Sequence, residues 1–151
     1  DVYKRQFFDT QMPAQTAIEG AVAAVAEMRR AADVVVLTNL VDARREARIR
    51  QLAMLGIEVP VYTNQGPKGA ALKAILDERG PARAVFIDDI AQHHQSAAAL
   101  APRLRRLHFC GEPAIAAHVP CAHQSGAAHA RIDRWDEALP WVLAQLEGDT
   151  A

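Results

Sequence analysis

Residues 84–89 read Ala-Val-Phe-Ile-Asp-Asp, an apolar run that ends abruptly in two adjacent carboxylates. A strand buried in a parallel sheet is a continuous apolar run, and open α/β sheets bind ligands at the carboxyl ends of their strands. Upstream, the run Val34–Leu37 ends in Thr38-Asn39, and Gly66-Pro67-Lys68 precedes a helical pattern. These three polar clusters are therefore expected to face one crevice.

Strands and helices alternate along the chain. The sequence predicts strands at 34–37, 59–62, 84–87 and 104–109, and helices at 18–31, from the N-cap Asp42 to Gly56, from Gly66 to Gly80, at 92–100, and from Asp133 or Asp136 to about Leu146. Residues 111–128 lack periodicity and predict a loop with at most one short helix. This alternation predicts βαβ units with right-handed crossovers, which is an α/β fold with a mostly parallel sheet.

The composition describes an ordinary globular chain of 151 residues, with a default expectation of one domain. A formal net charge of -1 gives no reason to expect nucleic-acid or membrane binding, and Arg105-Arg106 is interpreted as the solvated start of a strand. Cys110 and Cys121 lack metal-ligand spacing and are predicted to be structural thiols in a reducing cytoplasm. No stretch is long and apolar enough to span a bilayer, and no secretory leader is visible.

In the order Thr38, Lys68, Asp88-Asp89, the three clusters resemble three of the four signature motifs of the haloacid dehalogenase (HAD) superfamily of phosphatases and related hydrolases. The resemblance covers about residues 17–147 and includes the βαβ rhythm, so it implies a Rossmann-like three-layer sandwich. It also implies attack by an Asp on a small phosphomonoester, an aspartyl-phosphate intermediate and its hydrolysis by water, all around Mg²⁺.

The resemblance assigns a role to each cluster. Thr38 would bind a phosphoryl oxygen, with free backbone N–H groups near Asn39 receiving the anion. Lys68 would neutralise the nucleophilic carboxylate and the charge that develops on the phosphoryl group. Asp88 would ligate Mg²⁺, and Asp89 would support the site from behind the metal ligands or through water, although the two could exchange roles.

Each cluster also has a plain structural interpretation, and the residues alone leave it open. Thr38-Asn39 is a common turn opener, Lys68 could be a flexible surface lysine like Lys73, and Asp88-Asp89 could cap the following helix. The six histidines do not have the paired spacing of a helix-borne zinc site and are interpreted as surface or loop residues. Of these, His93 or His94 could still approach the substrate. The histidines are His93, His94, His108, His118, His123 and His129.

The fourth signature motif, a strand ending in Asp-x-Asp, is absent from the chain. The nearest match is Phe7-Phe8-Asp9-Thr10, but the second acidic position holds Gln11 and the apolar run has only two residues. We therefore expect an N-terminally truncated chain whose sheet lacks the central nucleophile strand, between the strands ending at Thr38 and Asp88. Residues 1–16 would be a remnant, foreign or cap-derived, followed by a core domain at 17–147 and a tail at 148–151.

Such a chain is expected to be inactive alone and poorly stable, because two sheet edges would have unpaired backbone groups. A degenerate HAD-like domain that binds a phosphate compound or a protein without catalysis is one alternative. The metal-independent dehalogenase branch, which also uses an Asp and a Lys, is another. A nucleotide-binding ATPase is disfavoured because Gly66-Pro67-Lys68-Gly69 is not a G-x-x-x-x-G-K-[ST] loop. The sequence does not identify the substrate.

Overall fold

The computed structural model of the protein describes residues 5–9, 15–111 and 116–147, with side chains from residue 20 onward. Its strands are β1 Arg5–Asp9, β2 Asp33–Thr38, β3 Val61–Thr63, β4 Arg83–Asp88, β5 Arg105–His108 and β6 Ala130–Arg131. Its helices are α1 Gln15–Ala31, a 3-10 turn Asp42–Arg44, α2 Arg45–Met54, α3 Gly69–Arg79, α4 Ala91–Leu100 and α5 Trp135–Glu147.

All six strands are parallel neighbours in one sheet, in the order β3-β2-β1-β4-β5-β6. Helices pack on both faces, because successive residues of a buried strand point to opposite sides. Val34 and Val36 join one apolar cluster with α1, α2 and α5, whereas Val35 and Leu37 join another with α3 and α4. The predicted α/β class with a Rossmann-like three-layer arrangement is confirmed.

The centre of the sheet differs from expectation. β1 pairs with β2 on one side and with β4 on the other, and its last residue, Asp9, is in register with Val36 and Ile87. The expectation that the sheet lacks its middle strand is therefore wrong, and so is the expectation of unpaired inner edges on β2 and β4. An apolar run of two residues was too short to indicate a strand, but strand pairing depends on backbone groups, which every residue here supplies.

The structure leaves the predicted domain bounds untested. Residues 1–4, 10–14 and 148–151 lie outside the described residues, and they include much of the predicted N-terminal remnant and the tail. The division at residue 16 thus stays a prediction, although residues 5–9 belong to the same sheet as the core.

Three local features differ from the sequence-based expectation. Asp42 does not cap α2; it begins the 3-10 turn, and its carboxylate accepts a hydrogen bond from the Thr63 hydroxyl at the end of β3. Arg106 is buried, not solvated, because its guanidinium donates to the backbone carbonyls of Ala127 and Leu104. The two-residue strand β6 was missed, since so short a pairing has no sequence period.

Cys110 is buried, Cys121 is partly buried, and both thiols are free of disulfides. Within the described parts of the chain, no helix has both the length and the apolar character needed to cross a membrane.

Candidate active site

The candidate site lies at the carboxyl edge of the sheet, where five strands end side by side. The last residues of β3, β2, β1, β4 and β5, in sheet order, are Thr63, Thr38, Asp9, Asp88 and His108. A crevice at this edge is where doubly wound sheets bind ligands, because the chain leaves in opposite directions on either side of the central strands. The structure thus brings Thr38 and Asp88 to the same edge, one on each side of the strand that Asp9 ends.

The strongest contact at this edge is an ion pair between Lys68 and Asp88. Lys68 Nζ lies 2.8 Å from Asp88 Oδ2, and the two side chains are 2% and 0% exposed. Lys68 immediately precedes α3, so its backbone directs the side chain from the helix start toward the end of β4. The prediction left open a flexible surface lysine here; the burial of Lys68 excludes that interpretation.

Lys73, the rival lysine, has the opposite environment. It forms a pair with Asp77 at 3.1 Å one helical turn away, with side chains 58% and 69% exposed. Pairs of this kind contribute little to stability because water screens both charges. Of the two lysines, Lys68 therefore has the position and the burial that a site residue requires.

The turn after β4 fixes the carboxylate of Asp88 from a second side. Asp88 Oδ1 accepts a hydrogen bond from the backbone N–H of Ile90 at 2.7 Å. Ile90 is the N-cap residue of α4, and its own side chain provides no cap hydrogen bond. The Asp88 carboxylate therefore bridges the Lys68 ammonium and the start of α4, which orients it rigidly at the crevice.

Asp89 lies next to Asp88 in a partly buried position, and its protonation differs from that of a free carboxyl. Burial, and then the charge of Asp88, raise the pKa of Asp89 to about 6. Its Oδ1 atom is buried and has no hydrogen-bond partner among the described residues. An unsatisfied carboxylate oxygen beside a second carboxylate is an arrangement that a bound cation would stabilise.

Two buried histidines hold the main chain of this acidic pair. His94 Nε2 lies 2.9 Å from the carbonyl oxygen of Asp88, and His108 Nε2 lies 2.9 Å from that of Asp89. The backbone N–H of Ala122 donates to His108 Nδ1, so the Nε2 atom of His108 carries the proton and donates to Asp89. The two rings are stacked at a tilt, with centroids 5.3 Å apart.

Both rings are neutral under ordinary conditions, because their environment disfavours the charged form. Burial lowers the pKa of His94 to about 4, and burial also lowers the pKa of His108. A neutral ring still donates one hydrogen bond, which is all that each carbonyl needs. These two histidines therefore position the acidic turn without adding charge to it.

The interpretation of all six histidines as surface or loop residues is wrong for three of them. His93, His94 and His108 are buried, whereas His118 and His123 are exposed and His129 is half-buried. The sequence contained a signal for this: His93 and His94 lie in the first turn of a helix that begins directly after a buried strand. His93 Nδ1 has no hydrogen-bond partner among the described residues, and burial lowers the pKa of its ring.

The carboxyl end of β2 forms the other side of the crevice. Thr38 is buried, and its carbonyl oxygen accepts hydrogen bonds from the backbone N–H groups of Leu40 and Asn64. The side chain of Asn39 donates to the carbonyl of Gly66 at 3.1 Å, which ties this turn to the segment before Lys68. Thr38-Asn39 does open a turn, as its plain interpretation requires, and that turn is anchored to the site.

A divalent cation fits the chemistry of this edge only with help from water or from further residues. In the described part of the chain, no group of three His, Cys, Asp or Glu side chains could hold a metal ion. Mg²⁺, however, commonly binds through one or two carboxylates and keeps several waters. Asp88 and Asp89 supply two carboxylates, and the unsatisfied Oδ1 atom of Asp89 has free acceptor capacity.

Comparisons with known proteins support the fold. No family model matches the chain, and no curated protein matches it. Among solved structures, the chain is similar to a protein from Burkholderia xenovorans LB400 that is provisionally described as a haloacid dehalogenase-like hydrolase. The TM-score is 0.52, with 18% identity, over 80% of this chain and 56% of that one. The chain thus spans just over half the length of that protein, and the HAD resemblance is confirmed at the level of the fold.

Proposed function

We propose that this chain contributes the core of a HAD-like hydrolase that cleaves small phosphomonoesters with Mg²⁺ and an aspartyl-phosphate intermediate. The observation that carries the proposal is the buried Lys68–Asp88 pair at the crevice. Removing two charges from water costs several kcal/mol per ion, roughly, and their attraction seldom offsets this, so such a pair is weak evidence for a stabilising role. A fixed cation beside a fixed carboxylate is instead well suited to a site that binds a phosphoryl group.

The described residues divide the work of such a site. The Lys68 ammonium would offset the negative charge of the transferring phosphoryl group, and the Thr38 hydroxyl with the backbone near Asn39 would bind its oxygens. Asp88 and Asp89 would hold Mg²⁺, which when bound would neutralise further phosphoryl charge. His94 and His108 would keep both acidic residues in place through their carbonyl groups.

Asp9 is the residue we propose as the nucleophile. It ends the central strand between β2 and β4, so its backbone lies between the Thr38 and Asp88 sides of the crevice. A carboxylate oxygen of Asp9 would attack phosphorus and break the ester bond, releasing the alcohol. Water would then attack the acyl phosphate, restoring the carboxylate and releasing inorganic phosphate.

Gln11 weakens this chemistry. In the HAD resemblance, a second Asp two residues after the nucleophile acts as general acid and base, and an amide at that position can neither take up nor release a proton. Loss of a positioned acid or base costs about 10²–10⁴-fold in rate. We therefore still expect little or no turnover, but the reason is Gln11 and not a missing strand.

The test is hydrolysis of p-nitrophenyl phosphate with and without Mg²⁺, comparing the wild type with the variant Gln11→Asp. We expect slow, Mg²⁺-dependent turnover that rises at least about tenfold in Gln11→Asp, because a general acid and base is restored. Asp9→Asn and Lys68→Gln should abolish turnover, whereas Lys73→Gln, the exposed control, should not change it. Turnover that persists in Asp9→Asn would contradict the proposal.

A second candidate function, binding of a phosphate compound without catalysis, is favoured by Gln11 alone. It predicts that Gln11→Asp stays inactive while inorganic phosphate still binds and the affinity depends on Lys68. The metal-independent dehalogenase branch makes a third prediction: release of halide from 2-chloropropionate without Mg²⁺. The same set of variants, with phosphate and halide release measured in parallel, therefore distinguishes the three candidate functions.

A further inference from the structure

A cavity that opens beside the candidate active site has no role in the hydrolysis described so far. Its volume is about 400 Å³, and it is lined by Leu40, Arg44, Ala47, Arg48 and Gln51. This volume lies within the range of about 300–1,000 Å³ that is common for small-molecule sites. Its lining includes two arginines and one glutamine.

The cavity adjoins the phosphoryl-binding side of the crevice. Leu40, in its wall, is two residues after Thr38, and its backbone N–H donates to the Thr38 carbonyl at 3.0 Å. Two residues of extended chain reach at most about 7 Å. Asp42, in the turn that leads to Arg44, accepts a hydrogen bond from the last residue of β3, Thr63. The start of α2 therefore lies at the same carboxyl edge as Thr38.

Neither cavity arginine is held in an ion pair by a described residue, although Asp42 and Glu46 lie in the same turns. No ion pair or side-chain hydrogen bond joins Arg44 or Arg48 to any other described residue, and the two are one helical turn apart. Like charges at this spacing repel each other, and the first turn of a helix disfavours cations. Arginines at positions where repulsion and the helix dipole both disfavour them are suited to an anion that offsets the two costs.

Arginine also has the geometry that such a ligand requires. Its planar guanidinium donates two parallel hydrogen bonds to a carboxylate or a phosphate, and Gln51 adds a neutral donor on the same wall. Leu40 and Ala47 supply apolar surface for a carbon chain between two anionic groups. The lining of the cavity therefore suits a molecule that has one anionic group at the Thr38 side and a second at the arginines.

We propose that this arginine cavity binds a second anionic group of the substrate, a carboxylate or a phosphate. The inference rests on the proposed function, since it assumes that the first anion is the phosphoryl group at Thr38 and Lys68. It narrows the substrate class to phosphomonoesters that carry a further negative charge a few carbons away. Neutral sugar phosphates and simple alkyl phosphates would bind less tightly.

The experiment uses three probes with one carbon chain. Hexyl phosphate, 6-phosphooxyhexanoate and hexane-1,6-diyl bisphosphate differ only in the far group, which is a methyl, a carboxylate or a phosphate. Their affinities for the whole chain would be measured by calorimetry at low ionic strength, where charge–charge contacts are least screened. We expect binding about tenfold tighter for at least one doubly anionic probe than for hexyl phosphate. The doubly anionic probe that binds more tightly shows whether the second anionic group of the substrate is a carboxylate or a phosphate.

The variants provide a matched control. The double variant Arg44→Gln/Arg48→Gln removes both cavity cations, and Arg45→Gln/Arg50→Gln removes two exposed arginines of the same helix that do not line the cavity. Both lose the same net charge. The first should abolish the preference for a second anion and the second should keep it. Equal affinities for all three probes in the wild type, no measurable binding of the doubly anionic probes, or equal losses in both variants would overturn the proposal.

Turnover measured on the same probes separates this inference from the proposed function. If the doubly anionic probes bind with the expected preference but none is hydrolysed, the arginine cavity stands and the phosphatase proposal fails. If all three are hydrolysed without preference, the phosphatase proposal stands and the cavity proposal fails.

Discussion

The two sides of the crevice differ in how deeply their charged groups are buried and in whether those groups have partners. The carboxylate side, formed by Lys68, Asp88, Asp89 and the histidines His94 and His108, is largely buried. Most of its polar groups have partners, and Asp89 Oδ1 is an exception. The arginine side, formed by residues 39–51 after β2, is mostly exposed, and its two cavity arginines have no partners among the described residues.

Under the two proposals, this difference would separate the chemical step from substrate recognition. Groups that stabilise a transition state must already be oriented when the reaction occurs, so they are fixed at a cost in desolvation. Groups that select a substrate need only bind it, and flexible exposed arginines do so at little cost to folding. The carboxylate side is therefore expected to be sensitive to substitution in stability as well as in activity, and the arginine side in activity alone.

The largest expected effect follows from Lys68→Met. The substitution removes the ammonium at 2.8 Å from Asp88 Oδ2 inside the protein, and breaking a buried pair in this way costs about 3–5 kcal/mol. Urea unfolding followed by circular dichroism measures the loss. The control Lys73→Met should lose less than about 1 kcal/mol, because its pair is exposed. Similar losses in both variants would remove the distinction between the two lysines.

His108→Leu should have the next largest effect. It leaves the buried N–H of Ala122 and the partly buried carbonyl of Asp89 without the ring as partner, at up to about 1–3 kcal/mol each. His94→Leu removes one of two donors to the Asp88 carbonyl, which keeps the backbone N–H of Phe109, and should cost less than half as much. Chemical denaturation of the two variants side by side tests the ratio. A larger loss in His94→Leu would contradict this account of the two rings.

The sequence predicted the carboxyl edge well because strand-end polar clusters follow directly from a one-dimensional pattern. Thr38, Lys68 and Asp88 were all located from apolar runs and the residues that end them, and the structure brings them to one edge. The central strand escaped the same method. Its four residues before Asp9 show no clear pattern of apolar and polar side chains. Its place in the sheet depends on pairing with β2 and β4, which are distant in sequence.

For a related reason, the sequence contained only a partial signal for the buried histidines and none for the arginine cavity. A histidine on a helix is polar by type, and only the packing of α4 against β4 and β5 decides whether its ring meets water or a backbone carbonyl. Arg44 and Arg48 likewise line one cavity with Leu40 only because the turn after β2 leads directly into their helix. Such features depend on three-dimensional closeness, for which a single sequence contains no direct signal.

Gly69→Ala tests how tightly the carboxylate side is packed. An added Cβ at residue 69 would clash with the backbone oxygen of Ser96 on α4, so α3 and α4 would have to separate next to Lys68. Overpacking of this kind costs about 1–3 kcal/mol. The control is Gly20→Ala in α1, where the nearest atom, Cδ1 of Trp135, is 3.4 Å away and helix propensity favours alanine. Thermal melts should show a lower Tm for the first variant and an unchanged or higher one for the second.

The pH dependence of stability should distinguish Asp89 from the histidines. The pKa of Asp89 is raised to about 6, so between its ordinary value and 6 the unfolded chain binds fewer protons at this group, and the group makes stability fall as pH rises. His94 acts in the opposite direction. Its pKa is lowered to about 4, so between pH 4 and 6.5 the unfolded chain binds more protons and stability rises with pH.

The variant Asp89→Asn isolates the first contribution. It should make stability rise more steeply with pH between about 4 and 6, with a linkage slope larger by up to one proton, because the opposing contribution of Asp89 is removed. Urea midpoints at several pH values, without added metal, measure the slope. An unchanged slope would show that the Asp89 carboxyl titrates at its ordinary pKa, and that the acidic pair is less coupled than its burial indicates.

Asn64→Ala should have the smallest effect on stability and is the sharpest test of the division between the two sides. The Asn64 amide donates to the carbonyls of Gly66 and Pro67 and to the side chain of Asn39, all in an exposed turn. Net contributions of such bonds are about 0.5–1.5 kcal/mol each at most, and water replaces them readily at an exposed site. We therefore expect a loss of under about 1 kcal/mol.

If the turn serves binding, KM for a phosphomonoester should rise while kcat changes little, because Asn64 positions Asn39 and not the reacting carboxylates. A loss as large as that of Lys68→Met, or a fall in kcat at constant KM, would mean that the two sides of the crevice act as one unit.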